Sequence, residues 1–140
     1  MASQDCPCGS GQRYSLCCKP FHKGEREAPD PVALMRSRFA AFALGEAPYL
    51  WRTLAPAHED RQRPEAEVLR GIRDSISTHR YRALTILDSQ DPDASGIARV
   101  RFLAKVFQKG RDMSFVETSE FVHDGTGWRY LGGVLSPPDR

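Results

Sequence analysis

The sequence predicts an α+β domain, with three N-terminal helices packed on a four-stranded antiparallel sheet, preceded by a short metal-binding knuckle. Three observations carry this expectation. All four cysteines lie between residues 6 and 18. Apolar residues recur at helical spacing from Val32 to Ile76. After Thr78 the apolar period shortens from about 3.6 residues to about 2, the change that separates helix from half-buried strand. Helices followed by strands on short turns give segregated α+β layers rather than a parallel βαβ order.

The knuckle is Cys6-Pro7-Cys8-Gly9-Ser10-Gly11-Gln12-Arg13-Tyr14-Ser15-Leu16-Cys17-Cys18. Four thiolates close a tetrahedral shell around one structural zinc ion and leave no position for an activated water. Disulfides fit less well. Cys6 and Cys8 flank a proline and Cys17 adjoins Cys18, so a bridge within either pair strains the required geometry. Gly9 and Gly11 can take positive φ and let the backbone turn its amides toward the sulfurs. Tyr14 and Leu16 are expected to supply the module's apolar packing. Four unligated thiols at a frayed terminus are the plainer alternative, and clustering disfavours it. His22 follows Cys18 by four residues, but with four cysteines present it is expected to pack with Phe21 under the knuckle or meet a partner.

Residues 20–30 read as a polar linker, which puts the knuckle at 1–24 and the main domain at 25–140. Asp30 is a natural N-cap and Pro31 suits the first helical turn, where its missing N–H costs nothing. Val32, Met35, Phe39 and Phe42 then mark one helix face, and Gly45 stops the helix. A second helix is expected from Ala47 or Pro48 to Leu54, carrying Tyr49, Leu50, Trp51 and Leu54. Residues 55–64 form a loop, and Pro64-Glu65-Ala66-Glu67 opens a third helix with Val68, Leu69, Ile72 and Ile76 inward. Strands follow at Tyr81–Leu87, Ile97–Phe107, Met113–His123 and Trp128–Leu135. Between them stand Asp88 to Gly96, Gln108 to Arg111 and Asp124 to Gly127, all rich in turn residues.

Composition excludes several function classes. The chain has 140 residues and a net charge of +2, with 40% hydrophobic and 27% charged residues. That describes an ordinary soluble domain. Its apolar runs are too short for a membrane helix, no signal-peptide pattern opens it, and a cytoplasmic location is the expectation. Arg61, Arg63, Arg70, Arg73, Arg80 and Arg82 gather mid-chain, and Arg99, Arg101 and Lys105 share one strand face. Such a face can meet phosphate or an acidic protein surface. Asp60, Glu65, Glu67 and Asp74 interrupt the first group, however, and no aromatic is interleaved for base stacking. A solvated outer face is expected, not a nucleic-acid partner.

The knuckle resembles the SEC-C motif at the C-terminal end of the SecA translocation ATPase, whose Cys-x-Cys, eight residues, Cys-Cys pattern it matches at all four ligand positions. Pro20-Phe21-His22 and Ala33-Leu34-Met35-Arg36-Ser37-Arg38-Phe39-Ala40-Ala41-Phe42 resemble the YchJ family of small bacterial proteins. So do Phe115-Val116-Glu117-Thr118-Ser119-Glu120-Phe121-Val122 and Gly127-Trp128-Arg129-Tyr130. This resemblance covers nearly the whole chain. It implies that the sheet is curved into a cystatin-like cone of the nuclear-transport-factor-two type, enclosing a pocket between helices and sheet. The SecA knuckle contacts the chaperone SecB and the ribosome. A protein partner in translation, secretion or nascent-chain handling is implied here, with Arg13, Tyr14, Lys19, Phe21 and His22 as the contact surface.

Candidate pocket residues are Arg36, Arg38, Trp51, Phe102, Phe115, Glu117, Ser119, Phe121 and Trp128. On the strand from Met113, Phe115, Glu117, Ser119 and Phe121 alternate onto one face. With that face concave, Glu117 stands between two phenylalanines, where a carboxylate can act as a general base. The competing role is structural, an ion pair from Glu117 to Arg36 or Arg38 that holds helix to sheet. Breaking such a buried pair costs about 3–5 kcal/mol. Arg36 and Arg38 are two apart and cannot share a helix face, so one should reach the sheet and the other solvent. No histidine completes a catalytic dyad: His58 is in a loop, His79 ends a helix and His123 adjoins a turn. The favoured function is a zinc-binding adaptor, and the alternative a small-molecule-binding protein or enzyme using the pocket around Glu117. Leu103 and Phe107 on the outer sheet face make a homodimer a further expectation.

Overall fold

The computed structural model describes residues 5–136. Its elements run α1 (Lys19–His22), α2 (Pro31–Leu44), α3 (Ala47–Arg52), α4 (Glu65–Thr78), then β1 (Arg80–Gln90), β2 (Ala98–Gln108), β3 (Arg111–Asp112), β4 (Phe115–His123) and β5 (Trp128–Ser136). Single 3-10 turns add Tyr14–Leu16 and Glu59–Gln62.

α2 is capped at both ends by its own sequence. The Asp30 carboxylate accepts from the Ala33 amide at 2.7 Å, Pro31 fills the first turn, and Gly45 takes the left-handed conformation at φ 83°. Its burial is broader than one apolar stripe predicts. Leu34, Met35, Ser37, Arg38, Phe39, Ala40 and Ala41 are all buried. The reason is that α2 has two neighbours: Met35 and Phe39 join the core under the sheet, while Ala40 packs against Cys6, Cys8 and Cys18 of the knuckle. Small Ala40 lets the cysteine loop approach the helix backbone.

The expected linker contains a helix, α1. Pro20 occupies its first turn, and burial of Phe21 and His22 holds the single turn in place. The segment is ordered by what its side chains cover, which local composition does not reveal.

The sheet has five strands in the order β1-β2-β4-β5, with the short β3 paired to β2, and every pairing is antiparallel. β3 was not expected. Lys109 and Gly110 both take positive φ, 52° and 77°, the backbone of a two-residue hairpin turn, and this pairs Gln108 with Arg111. Along β2, Val100, Phe102, Ala104 and Val106 are buried on the inner face. Register slips in β1 at Tyr81/Ala83 and Ile86/Asp88, and in β4–β5 at Glu120/Phe121, mark bulges that bend the sheet. The chain after α3 runs beside β5: Ala55 N–H donates to the Tyr130 carbonyl and Tyr130 N–H to the Thr53 carbonyl, both at 2.8 Å. That fixes Tyr130 against the C-terminal end of α3.

Among the described residues no helix is long and apolar enough to cross a membrane. Two of the grouped basic residues are held in ion pairs. Arg63 pairs with Asp60 and Glu67, and Arg99 with Asp93 and Glu120.

Candidate metal centre and interior cavity

The 6–18 loop folds back on itself by a Cys6 N–H to Gln12 carbonyl bond of 2.8 Å. Gly9 and Gly11, both at φ 83°, make the reversal. It gathers Cys6, Cys8, Cys17 and Cys18 so that all four sulfurs lie within 4.8 Å of one another. Cys8 and Cys17 sulfurs are 3.6 Å apart, and Cys17 and Cys18 sulfurs 3.8 Å. Bonds of about 2.3 Å to a central ion set a tetrahedral edge of about 3.8 Å, so the donor set fits a tetrahedral metal shell. All four thiols are free of disulfides. Ser10 Oγ lies 3.1 Å from the Cys17 sulfur, where it can donate to a thiolate. With protons alone as counter-ions, Cys8 is drawn far below the ordinary thiol range by hydrogen bonds from Cys18 and Cys6. Cys18 is pushed far above it by its bonds to Cys6 and Cys8 and by burial. One thiolate shared among crowded thiols is the pattern a metal ion replaces.

The knuckle is anchored to α2 by named polar contacts. Arg36 Nη1 donates to the Cys8 carbonyl at 2.8 Å. His22, only 8% exposed, bridges loop and helix, with Nε2 2.7 Å from the Ser37 carbonyl and Nδ1 2.7 Å from Tyr14 Oη. A carbonyl only accepts, so Nε2 carries the proton and Tyr14 donates to Nδ1. Burial pushes the Tyr14 phenol up to about 12, which keeps that donor protonated. Burial likewise pushes His22 down, keeping the ring neutral. Ser37 Oγ donates to the Leu34 carbonyl at 2.9 Å and takes a 2.6 Å bond from Tyr49 Oη.

Between helices and sheet lies a cavity of about 400 Å³. α2 contributes Met35, Arg38, Phe39 and Phe42, β2 contributes Phe102, Ala104 and Val106, and β4 contributes Phe115, Glu117 and Ser119. Tyr130, Tyr81, Ser75, His79 and Met113 complete the lining. At one end, Glu117 Oε2 accepts from Ser119 Oγ at 2.6 Å and from Tyr130 Oη at 3.2 Å. The Glu117 side chain lies over Gly133, where any Cβ would collide with its carboxylate. Arg38 donates through Nη1 to the Leu50 carbonyl at 3.0 Å and to Thr53 Oγ1 at 2.6 Å, with its guanidinium 4.6 Å from the Tyr130 ring centre. Burial pushes Arg38 down to about 10, so it remains a cation at neutral pH. Tyr130 is pushed up to about 12 by burial and then by the Glu117 charge.

Several expected site residues stand elsewhere. Arg36 is outside the cavity, because the knuckle carbonyl holds it. Trp51 is covered by Arg61, whose guanidinium lies 4.7 Å from its ring. Trp128 meets His123 edge-on at 5.3 Å, and Phe121, fully buried, packs on Tyr130 below the cavity wall. The expected ion pair from Glu117 to Arg36 or Arg38 is replaced by the Ser119 and Tyr130 hydroxyls. On the knuckle, Arg13 and Lys19 are exposed and Tyr14 is half-buried. Phe21 and His22 are buried, which removes them from any contact surface. Leu16, expected to pack inward, is 73% exposed. Among the site residues missed are Tyr130 and Ser37; both lie in stretches with recognisable periodicity, but their roles depend on what faces them.

A family model described as the YchJ middle NTF2-like domain matches residues 30–133. The UPF0225 protein YchJ of Shigella dysenteriae serotype 1 (strain Sd197) is 37% identical over 132 residues, covering 94% of this chain and 84% of the relative. The solution structure of RPA3114, a SEC-C motif containing protein from Rhodopseudomonas palustris, aligns with a TM-score of 0.81 at 31% identity, over 94% of this chain and 98% of that one. The crystal structure of a SEC-C motif containing protein from Psychrobacter arcticus gives 0.77 over 96% and 84%, and at 22% identity shares the fold alone. With a cysteine cluster at the SEC-C spacing placed on an NTF2-like domain, this chain belongs to the YchJ family.

Proposed function

We propose that the chain is a cytoplasmic zinc-binding adaptor, whose knuckle holds one structural zinc ion and docks on a protein of the translation, secretion or chaperone machinery. Four soft thiolates at tetrahedral spacing favour zinc over magnesium, calcium or manganese, which take oxygen ligands. A closed sulfur shell stabilises a short loop that buries too little apolar surface to fold alone. The observation that carries the reading is Leu16, held 73% exposed between exposed Arg13 and Lys19. An exposed apolar side chain flanked in sequence by two exposed cations fits a partner with a small apolar depression and acidic residues beside it.

The test joins metal analysis to partner capture by cross-linking in cells. Wild-type protein should carry about one zinc per chain and retain ribosomal, secretory or chaperone components. Leu16→Asp should keep the zinc and lose those components, and Cys17→Ser should lose both. An unchanged partner set in both variants would overturn the adaptor reading, and metal-free protein from reducing, chelator-free purification would overturn the zinc assignment.

A further inference from the structure

Two charged groups inside the domain have no part in a knuckle-docking role. Arg38 is 7% exposed, and among the described residues no carboxylate pairs with it. Both of its hydrogen bonds leave from Nη1, toward α3. Glu117 lines the same cavity and receives both Ser119 and Tyr130 on Oε2, with no hydrogen bond to Oε1 among the described residues. Tyr130 ties the two together, its ring under the guanidinium and its hydroxyl on the carboxylate. A buried cation and a half-buried anion line one space without an ion pair between them, an arrangement that favours something polar lying between them.

We propose that this cavity binds a small apolar molecule with a neutral hydroxyl head, an alcohol or phenol. The volume of about 400 Å³ falls within the usual range for small-molecule sites, roughly 300–1,000 Å³. Phe39, Phe42, Phe102, Phe115 and Val106 supply apolar walls. A hydroxyl accepts from Arg38 and donates to Glu117 with a single oxygen, reproducing the bonds of any water it displaces. A carboxylate head meets Arg38 favourably but sits against Glu117, and an ammonium head does the reverse. A headless hydrocarbon leaves both charges desolvated. The site therefore selects for neutrality as well as for shape. This inference stands independently of the adaptor reading.

The test is an NMR titration of the full, zinc-loaded chain with 1-octanol, octanoate and octylamine at neutral pH. Octanol should shift the amides of Phe102, Phe115 and Glu117 and leave those of residues 6–18 in place. Octanoate and octylamine should bind about tenfold more weakly or worse, since like charges at close range cost at least that much. Glu117→Gln should shrink the preference for octanol over octanoate by about tenfold. Should that variant fail to fold, Ala104→Leu, which grows into the cavity, is expected to abolish octanol binding with the knuckle amides unmoved. Absence of octanol binding, equal binding of all three probes, or shifts confined to another surface would each overturn the proposal.

Discussion

Replacing His22 with phenylalanine keeps the ring's volume and removes its two hydrogen bonds, to Tyr14 and to the Ser37 carbonyl, both 2.7 Å. Each neutral bond contributes about 1 kcal/mol, and a buried group left without its partner adds about 1 kcal/mol more. A loss of about 2–3 kcal/mol at pH 7.5 follows, or roughly 6–12 °C in Tm for a chain of this size. Urea unfolding with zinc and reductant present measures it directly. The pH dependence separates a polar bridge from simple packing. Burial lowers the His22 pKa in the folded state, so at mildly acid pH the unfolded chain binds more protons than the native one. The ring's contribution is complete above its unfolded value of about 6.5 and is lost as pH falls below it, by up to about 1.4 kcal/mol per unit. Wild type should therefore lose about 1 kcal/mol more than His22→Phe between pH 7.5 and 5.5, and thiolate protonation, common to both proteins, cancels. Equal stabilities at pH 7.5, or parallel pH curves, would refute the reasoning.

Metal removal should not act on the knuckle alone. Because Ala40, Ser37 and Arg36 of α2 contact it, chelation should raise amide exchange in the middle of α2 as well as in residues 6–22. Protection of α2 unchanged on chelation would contradict that coupling. Gly133→Ala places a methyl on the Glu117 carboxylate and should cost about 1–3 kcal/mol. Adding Glu117→Ala should recover at least about 1 kcal/mol in a double-mutant cycle, and purely additive effects would place the strain elsewhere.

Much of the fold was legible because its signals are local. Asp30, Pro31 and Gly45 bound α2 by capping chemistry, and the alternation of Val100, Phe102, Ala104 and Val106 assigns the inner face of β2. The cysteine spacing likewise marked the thiol cluster, since donors close in sequence need little help from the rest of the chain. The cavity was legible only in part. Glu117, Ser119, Phe102 and Phe115 share an inward face by strand period alone, but Tyr130 enters through a bulge that shifts its register by one. Arg36 and Arg38 look alike in sequence. One reaches 28 positions back to Cys8 and the other reaches α3, a division set by which layer lies over each face of α2. α1 and Leu16 were misread for the same reason, since burial there depends on contacts distant in sequence.

Gly9 approaches the sheet closely enough that a Cβ there would stand 3.1 Å from the Leu84 carbonyl. Leu84 belongs to β1, one of the two edge strands, between its two bulges. An outermost strand is where a sheet recruits foreign chains, and bulges or a covering loop are the usual deterrents. The cysteine loop is such a cover, and it stays shut only while its sulfurs are held together. With the cysteines holding a metal as proposed, its loss or thiol oxidation would unguard the rim of the sheet, making self-association the first symptom.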